Sequence, residues 1–391
     1  MRIIVSGGGT GGHISPVLAV IKELQQHDSS IEILYIGSVN GLESKIIPQT
    51  GINFRPIPCG KFRRYHHNQI LNFIDPSTIL KNTKDMFRYI SGIKEAKAII
   101  REYDPDVVFT KGGYVSLPVG KAAIALGYPL VIHESDSVLG MSNRMLAKSA
   151  DKVCVAYPLE AYKNEQLDNL VYTGNPIRGD LLEGDKKRGR EEFGLTKDLP
   201  VVMIIGGSQG SYDINKLIAD SWTKILPKYQ LIHVSGERDY DWLHFKSMKL
   251  DPKEKENYHL YNFLSGDLKD AYALSDLVIS RAGNNVIAEL ASLSKPIILI
   301  PLASSANNHQ LINAQILSQA GGALLMLQEH LTPTKLIRQI DLLFENKSDL
   351  EDLSKHINTF AKNDAAHLVA EQIIAAAVGG EDNNEDEPEK I

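Results

Sequence analysis

The feature that most constrains this chain is a short pattern that occurs twice. A buried apolar run, a glycine-rich turn and a helical apolar stripe follow one another at Ile3–Val5, Gly7–Gly12 and Val17–Leu24. The same succession returns at Val201–Ile205, Gly206–Gly210 and Ile214–Ile218, about two hundred residues later. That separation is far longer than the period of a solenoid repeat. Strand, glycine turn and helix open a parallel α/β unit, so their recurrence predicts two Rossmann-like domains in tandem, each built on a parallel sheet. Gly7, Gly9 and Gly12 also satisfy GxGxxG. A dinucleotide site wants an acid at the end of the second strand as well, and the run Ile31–Ile36 ends in Gly37-Ser38. The glycines therefore read as a place where backbone approaches an anion at a helix N-terminus. Ser15 and Pro16 read as the cap and first-turn proline of that helix.

Polar residues gather where the other strands end. Lys111-Gly112-Gly113-Tyr114-Val115-Ser116 follows the strand signal at Asp104–Thr110, and His133-Glu134-Ser135-Asp136 closes the one at Pro129–His133. With residues 7–13 they make three polar strand ends in one half, as expected for the rim of a cleft. In the other half, Leu277–Ile279 runs into Ser280-Arg281-Ala282-Gly283 and a helix over Asn284–Leu293. A further strand, Pro296–Ile300, leads through a polar loop to His309, Gln310 and Asn313. Glu289 lies about one turn into the helix, and an ionised carboxylate accepts two hydrogen bonds side by side, which suits a vicinal diol such as a ribose. A second reading has Asn284 and Asn285 capping the helix and Glu289 complementing its dipole. These residues alone do not choose between the two.

Composition sets the outer bounds. The 391 residues, 43% hydrophobic and 23% charged, suit a globular protein of two or three domains. The net charge of -6 gives no sign of a nucleic-acid partner. Cys59 and Cys154 sit in no disulfide or metal-ligand spacing; Cys154 reads as a core residue, and two unpaired thiols fit a reducing compartment. No apolar run approaches the ~20 residues of a membrane span, and no signal peptide precedes the first strand, so membrane association would be peripheral. Over residues 61–100, Lys61, Arg63, Arg64, Lys81, Lys84 and Arg88 interleave with Phe73, Ile74, Met86, Phe87 and Ile90. Such a segment either seats on an anionic membrane or packs on the sheet with its lysines solvated. Residues 173–190 read as a linker. The domains are expected at 1–173 and 174–363, with a helix at 364–377 packing back on the first and a disordered acidic tail at 379–391.

Taken together, the motifs GGGTGGH (Gly7–His13), GGYVS (Gly112–Ser116), HE (His133-Glu134), GNPIR (Gly174–Arg178), GGSQG (Gly206–Gly210), SRAG with Glu289, and HQ..NA (His309–Ala314) are recognisable in order and spacing. The chain resembles the MurG family of glycosyltransferase family 28, which adds the second sugar of the peptidoglycan precursor. The resemblance runs from Ile3 to about Ala377. It implies a GT-B fold, two Rossmann-like domains facing across a cleft. It also implies a UDP-N-acetylglucosamine (UDP-GlcNAc) site in the second half: Leu264 backbone on the uracil, Glu289 on the ribose, Ser208 and Arg178 on the diphosphate, and Gln310 and Asn313 on the sugar hydroxyls. Gly283, Asn284, Asn285, Val286 and His309 border that site, and Thr10, Gly11, Gly12 and Asp136 approach it from the first domain. The acceptor pyrophosphate is expected at Gly9, Gly112, Gly113 and Tyr114. Three positions depart from the family pattern. Asp136 replaces the asparagine of HExN, Val286 replaces a threonine, and His309 stands where many members carry glutamine.

The implied reaction is an inverting transfer of GlcNAc to the C4 hydroxyl of the MurNAc unit of lipid I, an undecaprenyl-pyrophosphoryl precursor. Charge develops on the departing UDP, where Arg178 and the helix N-termini after Gly210 and Gly283 can stabilise it. No cofactor or metal is expected, and activity should survive EDTA. His13, at the positive end of a helix that disfavours imidazolium, is the expected general base, with Glu134 as the alternative or as the residue that orients it. UDP-GlcNAc, lipid I and the cytoplasmic membrane surface are the expected partners, together with cell-wall synthesis or division proteins. Rival readings are another UDP-sugar GT-B enzyme, such as a lipid glycosyltransferase or a UDP-GlcNAc 2-epimerase, and a non-catalytic nucleotide-sugar binder.

Overall fold

The computed structural model describes Met1–Glu381 apart from Thr10, residues 61–75, Thr196, Ser208, Gln209, Ser304, Ala306 and Asn307. Two parallel sheets organise it. The first has seven strands: β1 (Arg2–Ser6), β2 (Glu32–Ser38), β3 (Asn53–Ile57), β4 (Val107–Thr110), β5 (Leu130–Glu134), β6 (Lys152–Val155) and β7 (Leu170–Tyr172), in the order β3-β2-β1-β4-β5-β6-β7. The second has six: β8 (Val201–Ile205), β9 (Gln230–Val234), β10 (Tyr258–Tyr261), β11 (Leu277–Ser280), β12 (Ile297–Leu299) and β13 (Leu324–Leu325), in the order β10-β9-β8-β11-β12-β13. In each sheet the strand order reverses beside the first strand, between β1 and β4 and between β8 and β11. In doubly wound folds ligands bind at that reversal.

The central strands are apolar throughout because helices cover both faces. In the first sheet Ile3, Val5, Phe109, Val131 and Cys154 pack with Val17, Val20, Ile21 and Leu24 of helix Gly11–His27. Val369, Ala370, Ile373 and Ala377 of the last helix, Ala365–Glu381, join the same core. In the second sheet Val202, Ile204, Leu231 and Ile279 pack with Ile214, Ile218, Trp222, Leu336 and Ile340. Compactness divides the chain accordingly: Met1–Pro176 with Asp364–Ile391 forms one unit and Ile177–Asn363 the other.

The helix starts differ from the sequence reading. Helix Gly11–His27 begins in the glycine turn itself, so Pro16 lies inside it and Ser15 is no cap. Helix Gly113–Leu126 likewise carries Pro118 inside. In both cases proline is the sixth residue, where it forfeits one intrahelical bond near an end already poor in them. The earlier start places Gly11, Gly12 and His13 on a first turn, where backbone N–H groups have no intrahelical acceptor. At the C-terminus the helix continues four residues past 377, through Glu381. The rest of the expected tail, residues 382–391, lies outside the described residues.

Helix Pro76–Tyr103 shows large apolar side chains to solvent: Phe87 is 70% exposed, Ile90 57% and Met86 44%. Lys61, Arg63, Arg64, Phe73 and Ile74 lie outside the described residues. Among the described residues no helix is long and apolar enough to cross a membrane.

Candidate active site

In the first unit the three polar strand ends converge. Tyr35 donates from its hydroxyl to the Gly7 carbonyl, fixing the start of the glycine turn. Gly9 adopts φ +89°, a conformation that favours glycine, and a Cβ there would lie 2.6 Å from the Tyr114 ring. Gly113, at φ +81°, passes so close to Gly8 that a Cβ would meet its carbonyl at 2.7 Å, with the His13 imidazole 3.5 Å away. The two glycine turns therefore touch through backbone, with His13 against the second.

A buried carboxylate that the sequence reading overlooked anchors the first turn. Glu43, fully buried, accepts from the Gly9 N–H at 3.0 Å, the Ser38 N–H at 2.9 Å and the Ser38 hydroxyl at 2.6 Å. No acid ends β2, as read, but Glu43 reaches back to the same place from five residues on. It also takes the Gly9 N–H, so the acceptor-pyrophosphate contact expected of that group is already spent on an internal carboxylate.

A cavity of about 210 Å³ opens among His13, Lys111, Gly112, Gly113, Glu134 and Asp136. Burial, reinforced by the Lys111 ammonium, lowers the His13 imidazole from 6.5 to about 4, against Asp136, Glu43 and the Gly8 carbonyl. Lys111, only 2% exposed, is brought down to about 8 by burial, against the pull of Glu134 and Asp136. Its ammonium donates to the Ser135 hydroxyl, which donates to Asn175 Oδ1 at 3.1 Å. Glu134 accepts from the Asp136 N–H at 3.0 Å, the Gly140 N–H at 2.8 Å and the Asn143 amide at 2.9 Å. Burial, then Asp136, raises its pKa. Three of the roughly four lone-pair sites of Glu134 are thus engaged in shaping the loop, an arrangement that suits the orienting role expected for it better than that of proton acceptor.

In the second unit, helix Asn284–Ser292 begins after Gly283, an N-cap with no side chain, so neither Asn284 nor Asn285 is the cap. Glu289 accepts from the Tyr272 hydroxyl at 2.9 Å; burial raises it to about 7, against Tyr272 and Arg178. Arg178 donates to the Ser265 carbonyl at 3.1 Å and pairs with Asp180 at 3.3 Å, which sets it beside the Leu264 loop. Arg281 is spent on structure. Its guanidinium donates to Ser211, Ile300, Pro301, Gln328 and Asp213 and so ties the ends of β11 and β12 to helix Tyr212–Ala219. Gln310 accepts from the Leu302 N–H at 2.9 Å. Asn313, fully buried, donates to the Ala282 carbonyl at 3.3 Å and holds the turn before Gly283. Val286 and His309 are half-buried in the first turns of their helices. Thr10 and Ser208 lie outside the described residues.

The glycosyltransferase family 28 N-terminal domain matches residues 3–155 and the C-terminal domain of that family matches residues 201–369. The chain belongs to glycosyltransferase family 28. The UDP-N-acetylglucosamine--N-acetylmuramyl-(pentapeptide) pyrophosphoryl-undecaprenol N-acetylglucosamine transferase of Clostridium botulinum is 39% identical over 348 residues, covering 89% of this chain and 92% of that one. A second family 28 transferase of the same name, numbered 2, from Bacillus cereus is 36% identical, covering 91% and 95%. Among solved structures, Acinetobacter baumannii MurG has a TM-score of 0.71 at 23% identity, covering 96% of this chain and 99% of that one. A UDP-GlcNAc 2-epimerase from Neisseria meningitidis has a TM-score of 0.64 at 15% identity, covering 96% and 100%. The fold is GT-B, an α/β architecture with a parallel sheet in each unit.

Against this family 28 frame, two side chains that shape the candidate sites escaped the sequence, and a third was placed at a strand end without a role. Glu43 carries no local signal, because its partner is 34 residues away. Tyr272 reaches Glu289 across 17 residues. Lys111 did leave a trace, a lysine at the tip of a strand whose four residues are all buried.

Proposed function

We propose that this protein transfers GlcNAc from UDP-GlcNAc, with inversion, to the C4 hydroxyl of MurNAc in undecaprenyl-pyrophosphoryl-MurNAc-pentapeptide. The observation that carries the reading is the end-to-end relationship to the Clostridium botulinum transferase, 39% identical over 89% of the chain. The geometry supports a mechanism. His13, held neutral by burial and Lys111, donates one ring N–H to the Gly8 carbonyl and so offers its other nitrogen as an acceptor. That nitrogen takes the proton of the C4 hydroxyl as its oxygen attacks the anomeric carbon. The bond to the diphosphate breaks and UDP leaves with the electron pair.

The donor is assigned to the second unit. Glu289 receives the ribose hydroxyls, the Leu264 backbone meets the uracil, and the uncapped N-terminus of helix Asn284–Ser292 faces the diphosphate. Arg178 supports this region from beside Glu289, and Ser208 belongs to the same assignment. Gln310 meets the sugar, and Asn313 acts through the turn it holds. The acceptor is assigned to the first unit, at the Gly112-Gly113-Tyr114 turn beside His13. The undecaprenyl chain stays in the membrane, and exposed Phe87, Ile90 and Met86 with Lys84 and Arg88 form the surface that meets it from the cytoplasmic side.

The deciding experiment follows radiolabelled GlcNAc from UDP-GlcNAc into a lipid fraction supplied with lipid I. Incorporation is expected. Conversion of UDP-GlcNAc to UDP-ManNAc without acceptor would replace this reading with the epimerase.

A further inference from the structure

We propose that Lys111 is a positioning residue of the transfer: its buried ammonium balances the charge of Asp136 and, through Ser135, holds the loop after β5 beside His13 in the wall of the first-unit cavity. This rests on the assignment of His13 as the base. Lys111 is among the largest fully buried side chains of the molecule, and it sits in a cavity open enough for a substrate group. A buried ammonium without countercharge is costly, so a lysine here demands anions nearby. Two are present. Glu134 already satisfies three neutral donors. Asp136, half-buried, is the position where the family pattern expects a neutral asparagine. The carboxylate adds one negative charge to the wall and Lys111 adds one positive charge. The two charges offset one another, so the wall carries no net charge from this pair.

The charged and titratable groups facing His13 are Lys111 from the end of β4, Asp136 from the loop after β5, and Glu43 from helix Glu43–Ile46. Among the described residues Lys111 is the one cation of this set, and it opposes proton uptake by the imidazole. Burial keeps the ring neutral near pH 7 with or without Lys111, so what its removal leaves is an unbalanced carboxylate beside the ring.

The test is a double-mutant cycle in the full chain, using Lys111→Met, Asp136→Asn and the pair together. Each single change should lower kcat for lipid I glycosylation by roughly 10-fold, and the pair should recover to within about 3-fold of the natural chain. The second readout is the His13 Cε1–H resonance, assigned by its loss in His13→Gln and titrated without substrate. Lys111→Met should move its midpoint up by about one pH unit, and the pair should return it. Additive losses in the pair, or an unmoved His13 midpoint in Lys111→Met, would overturn the proposal. If Lys111→Met does not fold, Asp136→Asn decides alone: a roughly 10-fold loss supports the charge balance, and unchanged or higher activity overturns it. A natural chain that glycosylates no lipid I would defeat the proposed reaction instead, and the His13 titration would still test the charge balance.

Discussion

Burial acts on both His13 and Glu289: it favours the neutral imidazole the proposed base requires and opposes the carboxylate the proposed ribose contact requires. His13→Gln removes the proton acceptor and leaves both glycine turns in place; kcat should fall roughly 10²–10⁴-fold with a near-normal KM for UDP-GlcNAc. Near-normal turnover would take the base role from this residue. Glu289 titrates at about 7, and only its ionised form accepts two ribose hydroxyls. Affinity for UDP-GlcNAc should therefore rise as pH climbs from 6 to 8. Tyr272→Phe removes a donor that favours the carboxylate, so it should weaken donor binding about five-fold at pH 7 and move the same profile to higher pH. Isothermal titration across that range checks both. At this scale the sequence was half legible. His13, Gly113 and Glu289 stood out because glycines and strand ends mark them. Glu43 and Tyr272 did not, because each acts on a residue distant in sequence, and only the folded sheet brings the pairs together; Lys111 stood at a strand end, but its burial was not legible there.

At the scale of elements, the β1–β4 and β8–β11 reversals carry both candidate sites, and the strands that build them were readable from their unbroken apolar runs. The edge strands were not. β3 reads Asn-Phe-Arg-Pro-Ile and β7 is three residues long, so neither shows a buried run. Polar clamps between elements were equally silent. His233 on β9 bonds Tyr258 and Asn215 at 2.9 Å each, and Asn215 holds Asp239 at 2.7 Å, binding β10 and two helices to β9. Burial lowers His233 from 6.5 to about 3. The unfolded chain therefore takes up a proton below pH 6.5 that the fold refuses, and stability present above that pH is lost as pH falls toward 3. His13 and His133, also lowered by burial, act in the same direction. The urea midpoint should drop steadily between pH 7 and pH 5, as the unfolding free energy falls by at most about 1.4 kcal/mol per pH unit for each imidazole. A flat midpoint would show these rings to be solvated.

For the molecule as a whole, surface chemistry decides where it works. Phe87→Ser with Ile90→Ser should release it from vesicles rich in anionic lipid, measured by flotation, with turnover of a short-chain soluble acceptor preserved. Unchanged flotation would refute the assigned membrane face. A larger consequence follows from the last helix. Ala365–Glu381 completes a core begun by Ile3 and Val5, while Ile177–Asn363 has all its strands in one continuous stretch. The middle of the chain can therefore close its own core without that helix, and the beginning cannot. Its sheet keeps one apolar flank bare until Val369, Ala370 and Ile373 arrive. A chain cut before residue 365 would therefore join a finished second unit to an unfinished first one, whose bared flank would bind a hydrophobic dye.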